Sequence, residues 1–202
     1  DGSDTGTASA VAEAARRGCQ VVVACPADSS VAEHAAGRWT TILPTSTGDQ
    51  LATAVVMLSF LNQVALGPSC SSEAVARALD DVAIACAPQR DISINPGKML
   101  AISLADAAPL VWGGSVLAAR AARRVAESIR RTSGRTALAG DAEHLLPVVE
   151  RTRPRDVFAD PYADGGGERR PVLIVLDDGA EDPALLEQRS RLEDAARARD
   201  VR

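Results

Sequence analysis

Pro109-Leu110-Val111-Trp112-Gly113-Gly114-Ser115 is an apolar run that meets a glycine pair and a helix-capping serine, and an alanine- and arginine-rich stretch then continues to about Thr132. A strand, a tight turn and a long helix in that order form the unit from which parallel sheets are built, so the fold class is α/β. The same alternation recurs on either side. Residues 172–176 (Val-Leu-Ile-Val-Leu) read as the plainest buried strand, closed by Asp177-Asp178-Gly179 and followed by an amphipathic helix over 183–199. Residues 136–139 read as another strand, and 141–150 as a short helix interrupted near Pro147. A helix after Asn95-Pro96 opens this part of the chain, with proline in the first turn where it is tolerated.

The N-terminal part shows a shorter version of the pattern. A helix over 8–17 ends at Gly18, and residues 20–24 (Gln-Val-Val-Val-Ala) form a buried strand stopped by Pro26. Asp28 or Ser29 caps a short helix carrying His34, and residues 40–43 form the next strand. Two helices then follow with no strand between them, over 49–66 and 73–87, the first ended by Gly67-Pro68. They read as a connector, which gives three segments: 1–48, 49–94 and 95–202. Residues 151–169, with Pro154, Pro161 and Gly165-Gly166-Gly167, read as a surface loop.

Composition narrows the function classes. The 202 residues are 46% hydrophobic, which excludes intrinsic disorder, and 2% aromatic, which leaves no stacking platform for single-stranded nucleic acid. Lys98 is the only lysine among 22 basic residues. That skew fits a GC-rich bacterial genome better than a phosphate-binding surface, and the net charge of -5 also argues against a nucleic-acid partner. The most apolar stretch, 51–66, is broken by Ser59, Asn62 and Gln63 and is too short to span a membrane. Cys19, Cys25, Cys70 and Cys86 form no Cys-x-x-Cys pair, so no metal site is expected and the thiols read as reduced and mostly buried. The expectation is a soluble cytoplasmic protein.

Three places can carry chemistry. At Gly113-Gly114-Ser115 a helix N-terminus offers backbone N–H groups and a hydroxyl to an anion, with glycines that let a phosphate approach. A tight strand-to-helix turn capped by serine has the same sequence. Glu143-His144 is the only adjacent carboxylate and imidazole, suited to moving a proton between carbons and opening a sugar ring; two surface residues in a first helical turn would read identically. Asp177-Asp178 suits either a metal or a solvated strand end, and Arg120, Arg123, Arg124, Arg130 and Arg131 mark a solvated helix face. No Walker lysine and no Gly-x-Gly-x-x-Gly is present, so nucleotide binding by those motifs is not supported.

Taken together, Asn95-Pro96-Gly97-Lys98-Met99-Leu100-Ala101, the run from Pro109 to Ser115 and the following Ala-Arg-Arg helix resemble the second half of the bifunctional phosphoglucose/phosphomannose isomerases. Leu43-Pro44, Gly48 and the helix over 51–66 resemble that family's inter-domain segment. The resemblance implies two SIS (sugar isomerase) domains in tandem, each a doubly wound, Rossmann-like three-layer parallel sheet flanked by helices. Residues 1–48 are then the C-terminal part of a first SIS domain and 95–202 most of a second. Both ends read as cut.

The resemblance also implies a site. The family holds its sugar phosphate on a Ser-x-Ser-Gly-x-Thr motif before the strand at 20–24. Ungapped alignment puts Asp1, Gly2 and Asp4 on its second serine, glycine and threonine, replacing two hydroxyls with carboxylates that repel a phosphate dianion. A shifted alignment uses Ser3, Thr5, Gly6 and Thr7 instead. After the strand at 136–139 the family carries a catalytic Glu and an Asn-His-Asn-Glu motif, where this chain has Gly140-Asp141-Ala142-Glu143-His144. The expected activity is aldose–ketose interconversion of glucose, mannose and fructose 6-phosphates, without metal or cofactor. Glu143 and His144 would be catalytic, and Gly113, Gly114, Ser115, Ser3 and Thr5 substrate-binding. The alternative is an inactive SIS paralogue that senses a sugar phosphate or serves as a structural or regulatory partner. A hexose phosphate and a second copy of the chain are the expected partners.

Overall fold

The structure, a computed structural model, describes residues 4–67, 69, 71–153 and 169–202. Its elements run α1 (Thr5–Arg16), β1 (Val21–Cys25), α2 (Ser30–Ala35), β2 (Thr40–Pro44), α3 (Gln50–Gln63), α4 (Ser72–Ala85), α5 (Pro96–Ser103), β3 (Ala107–Gly113), α6 (Val116–Ser133), β4 (Leu138–Ala139), α7 (Ala142–Glu150), β5 (Arg170–Leu176) and α8 (Pro183–Ala198). The class is mixed α/β, with short parallel sheets flanked by helices. The chain divides into two compact units, Asp1–Pro88 and Gln89–Arg202.

In the first unit β1 and β2 pair in parallel, with Val21 opposite Thr40 and Cys25 opposite Pro44. Alternate residues of β1, Val21, Val23 and Cys25, are buried against Val11 of α1 and Val31, Ala32 and Ala35 of α2. The β-branched valines suit a strand, and the small alanines let α2 lie close. Ser29, not Asp28, caps α2, its hydroxyl oxygen accepting from the Ala32 N–H at 3.2 Å. Helix α3 packs against β1 and α4 packs against α3.

In the second unit the strand order is β4-β3-β5, all parallel. Side chains alternate across β3. Leu110 and Trp112 join Leu145, Leu146 and Val149 of α7 and Leu192 and Ala196 of α8 on one face. Val111 joins Ala122 and Ala126 of α6 on the other. Helices therefore cover both faces, because each strand residue of a parallel sheet needs an apolar partner on its own side. Gly134, at φ 67, ends α6 in the left-handed conformation, with its N–H donating to the Arg130 carbonyl at 3.0 Å.

Several expectations need correction. β4 is two residues long, not four. Helix α7 runs through Pro147 unbroken; proline deletes only the bond to the carbonyl of Glu143, an exposed residue. Residues 172–176 are half-buried rather than buried, since among the described strands β5 has β3 on one side only. Of the described cysteines only Cys25 is buried. Cys19 lies exposed in the turn after α1, outside the strand. Most of the 151–169 loop, residues 154–168, lies outside the described residues. No described helix is long and apolar enough to cross a membrane.

A Cβ placed on Gly113 would sit 2.3 Å from the backbone carbonyl of Ala118, so the end of β3 touches α6 with no room for a side chain. At Gly140 the nearest atoms are ordinary contacts, 3.5 Å or more away. Gly113→Ala should therefore cost about 1–3 kcal/mol, the penalty of overpacking, and Gly140→Ala should be near neutral. Thermal unfolding of the two variants checks this contrast.

Candidate functional site

In parallel α/β sheets ligands bind beyond the carboxyl ends of the strands, where the strand order reverses. In the second unit β3 leads through α6 to β4 on one side, and β4 returns through α7 to β5 on the other. The reversal lies between β3 and β5. Gly113-Gly114-Ser115 and Leu176-Asp177-Asp178 meet there, with Leu185, Leu186 and Arg189 of α8 closing over them. The expected anion-binding turn thus stands where the fold puts a site.

Its polar groups are already engaged with one another. The Ser115 oxygen accepts from the Ala118 N–H at 3.0 Å, capping α6, while its hydroxyl donates to Asp178 Oδ2 in a short hydrogen bond. Asp177 receives the Gly179 N–H at 2.9 Å and Arg189 at 2.6 Å. The Gly179 N–H and then the Arg189 guanidinium hold the Asp177 carboxyl below the usual range. Arg189 is raised, first by its bond to Glu193 and then by Asp177. The space left between these groups is about 20 Å³, on the scale of one water. The glycines also have packing roles: a Cβ on Gly114 would lie 2.8 Å from the Trp112 ring. Asp177 and Asp178 are thus ion-pair and hydrogen-bond partners, and among the described residues no group of three His, Cys, Asp or Glu could hold a metal ion.

The first unit has a roomier cleft of about 240 Å³ at the carboxyl end of β1. Val23, Cys25 and Val31 form its apolar wall; Asp4, Thr7, Gln50 and Thr53 supply polar groups from the first turns of α1 and α3. Asp4 is the N-cap of α1, accepting from the Thr7 N–H at 2.6 Å and the Thr7 hydroxyl at 2.5 Å. Both bonds favour the charged form, the hydroxyl's most, and depress the Asp4 pKa. Asp49 caps α3 in the same way, accepting from the N–H groups of Leu51 and Ala52, each at 2.9 Å. Thr53 donates its hydroxyl to the Asp49 carbonyl. The cleft therefore shows carboxylate and hydroxyl oxygens, acceptors for a ligand that donates hydrogen bonds.

Of the residues named from sequence, Gly114 and Ser115 come together at the β3–β5 junction, with Gly113 behind them against α6. Thr5 is exposed in the first turn of α1 and is not among the described residues lining the cleft; Ser3 lies outside the described residues. Glu143 and His144 are exposed on the first turn of α7, and neither lines the β3–β5 junction nor the cleft. His144 Nδ1 lies 3.6 Å from Asp141 Oδ2, with its side chain 78% exposed. Sequence reasoning missed Arg189 and the cleft residues Gln50 and Thr53; the carboxylates of Asp4 and Asp178 had a signal in their positions just before α1 and just after β5. Compared with known proteins, the chain matches no protein-family model, no curated protein and no solved structure. Fold and site define a parallel α/β protein whose helix N-termini at these two places are occupied by its own side chains.

Depressed carboxyl pKa values in the folded state mean stability that is full above the ordinary carboxylate range and lost as pH falls through the lowered values. The thermal midpoint should drop on acidification below roughly pH 4. Asp4→Asn, which can still cap but cannot titrate there, should flatten that acid limb, and so should Asp177→Asn. Melting curves over an acid pH series test both.

Proposed function

We propose that this protein is a SIS-type module that binds a carbohydrate derivative without isomerising it. The observation that carries the reading is the state of the helix N-termini. Where the resemblance puts the phosphate clamp, at the start of α1, the Asp4 carboxylate already takes the Thr7 N–H and the Thr7 hydroxyl. At the start of α6, Asp178 takes the Ser115 hydroxyl. A phosphate arriving at either place would meet a like charge, with the Thr7 and Ser115 hydroxyls already donated to carboxylates. Sugar hydroxyls fit the acceptor oxygens of the cleft over β1, whose volume is about 240 Å³. Glu143 and His144 are exposed and do not line the β3–β5 junction of their own unit, which supports binding without turnover.

The test pairs calorimetry with an isomerase assay on glucose, mannose and fructose 6-phosphates. No interconversion is expected, and free hexose should bind at least as well as its 6-phosphate. Asp4→Ser, which restores a hydroxyl at the α1 N-terminus, should raise affinity for the phosphorylated sugar. Turnover that falls with Glu143→Gln would overturn the reading, as would tight phosphosugar binding by the unaltered chain.

The same reading includes a second copy of the chain as partner. Residues 50–66 carry no charge, yet none of the α3 residues is buried, although a helix apolar on all sides is normally enclosed. Beside it α4 leaves Leu79, Val82 and Ile84 exposed at 48%, 60% and 64%. A second copy would bring the same charge-free α3, so that neither side strips water from an ion there. Sedimentation equilibrium should show a dimer that Val82→Glu dissociates without loss of helical circular dichroism. A monomer at all concentrations would exclude this pairing.

A further inference from the structure

A cavity of about 750 Å³ lies at the amino ends of β3 and β5 in the second unit, the opposite end of the sheet from the Ser115–Asp178 contact. Ala108, Leu110, Pro147, Val148 and Pro171 supply its apolar lining, and four arginines, Arg151, Arg153, Arg169 and Arg170, its charge. No carboxylate is among the described residues that line it. Arg151, Arg153 and Arg169 make no ion pair among the described residues, a state they share with Arg120 and Arg123 of α6, but these three line one cavity. In a chain of net charge -5 this is a local excess of positive charge that the protein does not neutralise from its own described side chains.

The cluster is also held in place. Arg170 donates from Nη1 to the Arg153 carbonyl at 3.0 Å and from Nη2 to the Arg199 carbonyl at 2.9 Å. These bonds tie the chain leaving α7 to the start of β5 and to the end of α8. Thr152 turns its hydroxyl back to the Val148 carbonyl at 2.9 Å, fixing the same turn. The α7 C-terminus by itself disfavours an anion, because its last carbonyls point outward. Four guanidinium groups reverse that sign. Guanidinium forks match the oxygens of phosphates in pairs, and a monoanion would leave most of this charge unmatched.

We propose that this cavity binds a small molecule carrying two or more phosphate groups, with its non-phosphate part on the lining from Ala108, Leu110, Pro147, Val148 and Pro171. Size and chemistry together select that class. The volume lies within the range of small-molecule sites, about 300–1,000 Å³. With 2% aromatic residues in the chain, a nucleic-acid strand would lack stacking partners. The site is separate from the sugar cleft over β1, so either assignment can fail without the other.

Calorimetric titration of the chain with inorganic triphosphate and with ADP tests the proposal. Saturable binding of one molecule per chain is expected, weakening as salt rises. The double variant Arg151→Gln/Arg169→Gln should lose about tenfold or more in affinity with unchanged circular dichroism. Arg120→Gln/Arg123→Gln, on the exposed face of α6, should leave binding intact, as should Asp4→Ser. Absence of saturation at millimolar probe overturns the proposal. So does an equal loss in the α6 variant, which would show that the probe follows overall charge and not this cavity.

Discussion

Where β3 ends against α6, Gly113 and Ala118 come so close that no side chain fits between strand and helix. This contact sets the angle and height at which α6 begins, and hence where Ser115 sits. Ser115 then reaches Asp178 at the end of β5, 63 residues further along the chain. Leu185 packs near Gly114, and Arg189 from the same helix reaches Asp177. A βα turn that looks from sequence like an open anion cradle is thus a packed joint between two strands and two helices. The glycines serve the joint first: one lets the helix approach, and the other leaves space for the Trp112 ring.

The central position of β3 explains why this joint is so tightly specified. Val111 is fully buried on one face, and Leu110 and Trp112 are nearly so on the other, while the backbone pairs with β4 and β5 on both edges. A one-residue slip would exchange the two faces and bring Trp112 toward the alanines of α6. Small residues at Ala118, Ala122 and Ala126 let α6 lie close to the strand, whereas α7 and α8 meet the opposite face with leucines and Val149. The asymmetry between an alanine face and a leucine face fixes which helix covers which side.

Much of this was legible in the residues. The parallel α/β class followed from alternating apolar and Ala-rich runs, Gly18 and Asn95-Pro96 marked helix ends correctly, and of the two caps read for α2, Asp28 or Ser29, the structure selects Ser29, because capping and turn chemistry act locally. What failed depended on tertiary neighbours. Pro147 reads as a break, but α7 is only nine residues long and buries Leu145, Leu146 and Val149 around it, so packing holds the helix. Residues 172–176 are as apolar as a central strand, and nothing in them reveals that β3 is their one partner among the described strands. The site was less legible than the fold. Ser115 and Asp178 are each visible as polar residues at element ends, but their contact depends on the strand order, which periodicity does not disclose. Arg151, Arg153 and Arg169 fall within what reads as a surface loop and Arg170 follows it, and only the pairing of β3 with β5 gathers them around one cavity.

Parallel α/β architecture also sorts charge. Every crossover helix points its N-terminus toward the carboxyl ends of the strands and its C-terminus toward their amino ends, so the helix dipoles add with one sign at each end of the sheet. Carboxylates are favoured at the first end and cations at the second. This chain follows that preference with its own side chains. Asp4 and Asp49 cap helices at the carboxyl end in the first unit, and Asp178 joins Ser115 there in the second. Arginines close the other ends: Arg16 on α1, Arg130 and Arg131 on α6, Arg197 on α8. Many α/β proteins leave the carboxyl end free of acid, so that the dipoles can hold a ligand's phosphate. Here internal carboxylates occupy that end, and the arginines at the amino end outnumber what the α7 carbonyls and the described carboxylates around the cavity balance. The polarity that usually draws an anion to the carboxyl end is used up in capping, and the positive charge that the described side chains of the second unit leave unpaired around the cavity lies at the reverse end of its sheet.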